Sequence, residues 1–116
     1  MYLPTEIHLH KKSRIVEISF DNGKKYQLPC EYLRVFSPSA EVRGHHQNQR
    51  KWLAGKKNVA IINIEPVGSY AVKLIFDDGH TTGLYTWEIL YDLCIHYERN
   101  WQEYLQQLAA TRQSRD

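Results

Sequence analysis

Two stretches of this chain, 56 residues apart as measured from Phe20 to Phe76, carry one pattern. Val16-Glu17-Ile18-Ser19-Phe20-Asp21-Asn22-Gly23 is echoed by Val72-Lys73-Leu74-Ile75-Phe76-Asp77-Asp78-Gly79. In the first copy Val16, Ile18 and Phe20 share one face of a strand, and Ile15, Glu17 and Ser19 share the other. The Asp-x-Gly that follows is a tight turn, because the position before the return strand demands a positive φ. Each turn leads into a short strand ending in leucine, Leu28 or Leu84, and then into a helix. Pro29 suits the first turn of the first helix, where its missing N–H costs nothing. Thr86 is the N-cap of the second, and Glu88 complements the helix dipole. The pattern predicts an α+β fold: two ββα-like units around a small, mainly antiparallel sheet.

The rest of the chain fits around this repeat. Residues 6–10 read as a strand, and so do residues 59–65, with Ala60, Ile62 and Ile64 on one face before Pro66 and Gly68 break it. Residues 80–85 are the return strand of the second hairpin. Residues 37–55 have no steady period and form a long loop. From Trp87 the spacing predicts one helix to about Thr111, with Leu90, Tyr91, Cys94, Tyr97, Trp101, Leu105 and Leu108 on an apolar stripe. Such a helix is about 37 Å long, longer than a domain of this size is wide. The tail, residues 112–116, reads as frayed. One domain spans 1–116, with its core at about 5–105, since 116 residues make a single modest core.

Lys plus Arg number 15 against 13 Asp plus Glu, a balance that demands neither nucleic acid nor an acidic partner. The first residues have no apolar core of a signal peptide, and no apolar run approaches a membrane span. Cys30 and Cys94 are read as reduced thiols of a cytoplasmic protein.

Motifs for chemistry are sparse. Structural zinc asks for paired ligands at short spacing, and no Cys-x-x-Cys exists here. His45, His46, His80 and His96 with the two cysteines are the scattered candidates. Asp77, Asp78 and His80 crowd one turn, where a carboxylate beside an imidazole suits general-base work if a nucleophile and a cleft are supplied. The plainer alternative is turn chemistry, although His80 stands where the first hairpin has Lys24. Arg43, Arg50, Lys51, Trp52, Lys56 and Lys57 form a basic stretch with one ring, read as a solvated loop rather than a nucleic-acid surface. Trp101, Tyr104, Leu105 and Leu108 lie beyond the reach of a small sheet. Either they form an exposed stripe for a protein partner or self-association, or the helix bends and buries them.

Longer motifs add a resemblance. Leu28-Pro29-Cys30-Glu31-Tyr32-Leu33-Arg34-Val35-Phe36-Ser37-Pro38-Ser39-Ala40-Glu41 and, later, Phe76-Asp77-Asp78-Gly79-His80 with Gly83-Leu84-Tyr85-Thr86-Trp87 resemble two signatures of the gamma-butyrobetaine hydroxylase-like N-terminal domain family. The match covers about Thr5 to Leu105. The resemblance implies a domain that, in carnitine-synthesis hydroxylases, precedes a separate iron- and 2-oxoglutarate-dependent oxygenase domain and contributes to dimer and interdomain contacts. Related domains are appended to iron–sulfur cluster carrier proteins. In the hydroxylases three cysteines and a histidine hold zinc; the alignment of Leu33-Arg34 puts Ser37, Ser39 and Val42 at the cysteine positions and leaves His80 as the fourth ligand. Zinc is therefore not expected, nor any other cofactor. The chain as given ends where an oxygenase domain would begin, so hydroxylase activity is not expected.

The reading is a non-catalytic protein-interaction or accessory module near iron–sulfur or iron-oxygenase systems. Its binding surface draws on Asp78, His80, Trp87, Arg43, His45, His46, Trp101, Tyr104 and Leu105. The alternative is a metal- or small-ligand-binding protein using His80 with His45 or His46.

Overall fold

The alternation in residues 15–20 becomes a strand with Val16, Ile18 and Phe20 buried and the residues between them half-covered. The computed structural model describes residues 2–39, 42 and 51–116. Strands β1 (Pro4–His10), β2 (Ile15–Phe20) and β3 (Lys25–Pro29) form one antiparallel sheet in that order. Helix α1 (Cys30–Val35) follows at once, with Pro29 as its N-cap. Strands β4 (Ile61–Val67), β5 (Ala71–Phe76) and β6 (Leu84–Thr86) form a second antiparallel sheet, again in sequence order. Helices α2 (Trp87–Ile95) and α3 (Tyr97–Ala110) complete the chain.

The α+β class and both units are as expected, but the units do not share a sheet. Each strand that opens a unit pairs with its own hairpin, so each unit is βββα. The echo extends further than the sequence pattern. β2 and β5 lie 56 residues apart end to end, and each unit has a register shift opposite its phenylalanine. Pro4 faces Phe20 and Glu6 faces Ser19; Ile61 faces Phe76 and Asn63 faces Ile75. Thr5 and Ile62 are the extra residues. The bulge corrects the expected facing of β4: Ile61 is buried and Ile62 is 54% exposed, because one extra residue inverts the alternation. Pro66 stays in the strand, since β4 is a sheet edge and needs no N–H there. The return strand of the second hairpin is shorter than expected, with pairing confined to residues 84–86.

Both sheets and the three helices given above contribute to one core among the described residues, in which Ile18, Phe20, Tyr32, Leu33, Leu74, Phe76, Tyr85, Leu90 and Tyr104 are packed together. The predicted single helix breaks at His96. There is no Pro or Gly at the break. The cause is Tyr32, whose hydroxyl donates to the Leu93 carbonyl at 2.7 Å, the group that would accept from the Tyr97 N–H in an unbroken helix. Asn100 Nδ2 donates in turn to the Tyr32 oxygen at 3.0 Å, which seats α3 on the same phenol.

The bend turns the aromatic stripe inward. Tyr104 and Leu108 are buried, Trp101 and Leu105 half-buried, and the Tyr104 hydroxyl donates to the Leu53 carbonyl at 2.7 Å. Of the two alternatives for the C-terminal helix, the bent helix with a covered stripe is the one observed. The tail is docked rather than frayed: Arg115 makes two hydrogen bonds, 2.9 and 2.7 Å, to the buried carboxylate of Glu31, and its guanidinium lies over the Trp101 ring. Gly55 and Lys57 donate backbone N–H groups to Ser114 and Arg115. No helix among the described residues is long and apolar enough to cross a membrane. Cys30 and Cys94 are free and buried, and burial pushes the Cys94 thiol up to about 12.

Candidate functional site

The units differ in one residue of loop, and polar side chains gather there. In the first hairpin Glu17 pairs with Gln27, ten positions on; in the second Lys73 pairs with Leu84, eleven positions on. The turns themselves match, since Phe20 N–H bonds the Lys24 carbonyl as Phe76 N–H bonds that of His80. The added length falls in Thr81-Thr82-Gly83. It brings the hairpin against the segment that leaves α1.

Two cross-links join them. Ser37 Oγ lies 2.9 Å from His80 Nε2, and Ser39 Oγ lies 2.9 Å from Thr82 Oγ1. The Ser39 N–H donates to Ser37 Oγ at 3.2 Å. Tyr85 gives its proton to the Leu33 carbonyl, and its raised pKa, driven up by burial, is opposed by a hydrogen bond with Ser37. Gly83 makes the approach feasible: a Cβ there would come 2.6 Å from Ser37 Oγ.

An ionic link lies beside it. Arg34 Nε and Lys56 Nζ both bond Asp78 Oδ2, at 2.8 and 2.7 Å, and the His80 N–H donates to Oδ1 at 3.2 Å. Burial raises the Asp78 pKa, but the hydrogen bonds from Lys56, Arg34 and His80 outweigh it and hold the carboxyl at about 2. Asp78 thus fastens the hairpin rather than serving as a base for His80; it touches the residue's backbone, not its ring.

The Ser37–His80 separation is that of a nucleophile and its base, yet the two residues are 0% and 4% exposed. Both side chains are covered in the fold. The arrangement does not fit zinc. Hydroxyls are poor zinc ligands, Val42 offers no donor, and no group of three or more His, Cys, Asp or Glu among the described residues is placed to hold a metal.

The structure thus brings Ser37, Ser39, Asp78 and His80 together, and places Trp87 apart from Asp78. Trp87 donates from Nε1 to the Ser69 carbonyl, at the far end of β5 from the Asp78 turn, about 20 Å away by strand rise. Trp101, Tyr104 and Leu105 belong to the core and its edge. Arg43, His45 and His46 lie outside the described residues, as does much of the basic stretch. Trp52, the one ring of that stretch, packs against Phe36 and Tyr104. Arg34, Lys56, Thr82 and Tyr85 were missed as partners. Arg34 and Tyr85 stand inside the two quoted signatures, which was the available signal; nothing local marks Lys56 or Thr82.

An open concavity lies elsewhere. A groove of about 580 Å³ runs between α2 and the segment after α1, with Phe36, Pro38, Ile89, Leu93 and Ile95 as apolar lining and Glu88 and Asp92 as the charged groups.

Comparison with known proteins places these features in context. Residues 7–91 match the family described as gamma-butyrobetaine hydroxylase-like, N-terminal. Two proteins with solution structures are similar throughout: one is 45% identical, covering 100% of this chain and 91% of its own, with a TM-score of 0.86. The other is 53% identical, covering 99% and 86%, with a TM-score of 0.85. A crystal structure of a protein with unknown function of the DUF971 family, from Acidithiobacillus ferrooxidans, is 39% identical over 78% of this chain and 90% of that one, with a TM-score of 0.66. None of the curated proteins matches the chain.

Proposed function

The chain belongs to the gamma-butyrobetaine hydroxylase-like N-terminal family, a family of unknown function, and from that premise we propose that it is a non-catalytic accessory module that docks a protein partner. The observation that carries this reading is the contrast between the polar cluster at the join and the groove along α2. The convergent groups, Ser37, His80, Ser39, Thr82, Arg34 and Asp78, are engaged in joining α1 to the second hairpin. The groove along α2, by contrast, is open and mainly apolar, the kind of surface that serves association. The interaction surface moves accordingly, from the C-terminal helix to α2. The setting that fits the family is an iron-oxygenase or iron–sulfur system, in which the module supports a protein carrying the reactive centre.

The test is isolation of the untagged chain from its host at native abundance, followed by cross-linking and sizing. A defined second protein in fixed stoichiometry is the expected result. A chain that runs alone under all conditions and turns over a small molecule would overturn the reading.

A further inference from the structure

Helix α2 carries Glu88, Tyr91, Asp92 and Ile95 at spacings of three and four, so the four share one side of the helix. Glu88, Asp92 and Ile95 are exposed, Ile95 to 47%. Tyr2, itself 45% exposed, lies with its ring 5.3 Å from that of Tyr91 and extends the apolar surface along the helix. Among the described residues, the lining of the adjoining groove has two carboxylates and no Lys, Arg or His. Among the described residues neither Glu88 nor Asp92 is paired with a Lys or Arg; Asp92 meets only the His96 imidazole, at 3.5 Å. The chain as a whole is slightly basic, so this face stands against the average sign of the molecule.

Resting on the accessory-module reading, we infer that the α2 groove takes a cationic amphipathic segment of a partner protein. Its apolar side chains enter beside Ile89, Leu93 and Ile95, and its Lys or Arg side chains meet Glu88 and Asp92. Charge complementarity selects this occupant. Nucleic acid and anionic lipid are both repelled by a carboxylate rim, and a polyanionic segment would be too.

The experiment is a titration of the full chain with a short synthetic amphipathic peptide of Leu and Lys, followed by backbone amide shifts, with the Leu and Glu counterpart as control. The expected result is saturable binding of the Lys peptide, with shifts centred on residues 86–95 and about tenfold weakening in the Glu88→Gln/Asp92→Lys variant. Both side chains are exposed, and the amide spectrum of the free variant reports its folding. Ile95→Ser is the second variant, expected to weaken binding without altering its salt dependence. Equal shifts with both peptides, shifts elsewhere, or an unaltered affinity in the charge variant overturn the groove assignment. A native partner that co-purifies equally with the charge variant also overturns it while leaving the accessory reading intact; absence of any native partner of the wild-type chain defeats that reading instead.

Discussion

The two βββα units begin with the same local instructions and end in different employment. Each has a bulge opposite its phenylalanine, an Asp-x-Gly turn, and a helix that starts directly from the third strand. In the first unit all six residues of α1 are buried, including Glu31 and Arg34, so that helix belongs to the interior. In the second, α2 buries Leu90, Leu93 and Cys94 and leaves a face to solvent. The hairpin that precedes α2 is one residue longer, and that residue lets the Thr81-Thr82-Gly83 arm reach Ser37 and Ser39. Duplicated architecture thus yields one unit committed to the core and another with a surface to offer, and the departure from the repeat marks the join.

The strongest test of equivalence is truncation of the paired rings. Phe20→Ala and Phe76→Ala, both at buried positions opposite a bulge, are each expected to cost about 3–5 kcal/mol in urea unfolding. A cost in one unit alone would break the comparison. Next in size is Gly83→Ala, which pushes a methyl onto Ser37 and is expected to cost about 1–3 kcal/mol. Combining it with Ser37→Ala should recover part of that loss, and a double-mutant cycle with no coupling would show that the hairpin does not rest on Ser37.

Tyr32→Phe removes the donor to Leu93 and the acceptor for Asn100, at an expected cost of about 1–2 kcal/mol. With the Leu93 carbonyl released, the Tyr97 amide should gain hydrogen-exchange protection as α2 and α3 approach one helix; unchanged exchange would put the cause of the break elsewhere. The smallest effect is acid sensitivity at the join. Asp78 has a folded-state pKa of about 2 against an ordinary 3.8. Its contribution is complete above about pH 4 and is lost as pH falls through about 2. Asp78→Asn should therefore flatten the loss of stability between pH 4 and pH 2, at some cost at neutral pH. A wild-type and variant pair with parallel acid profiles would remove Asp78 from the account.

Part of the join was legible in the sequence. His80 drew notice because it replaced the Lys24 of the first hairpin, and Ser37 and Ser39 because the family resemblance put them opposite it. The α2 groove was not legible, since Ile95 and Asp92 have no motif, and their exposure depends on where Phe36 and Pro38 come to lie. The stripe of Trp101 and Tyr104 was seen, but its direction was not, because a bend at His96 decides which way it faces.

The sequence by itself determined what neighbours along the chain can enforce. Alternation set the inward faces of β2 and β5, Asp-x-Gly set the turns, and Thr86 capped α2 by accepting from the Ile89 N–H at 3.2 Å. The tertiary structure decided what depends on groups far apart: Tyr32 on Leu93 across 61 residues, Ser37 on His80 across 43, and Glu31 on Arg115 across 84. Such contacts leave no period and no spacing in the chain. They form because burial in the shared core penalises any polar group without a partner, and only the folded arrangement brings the partners within reach.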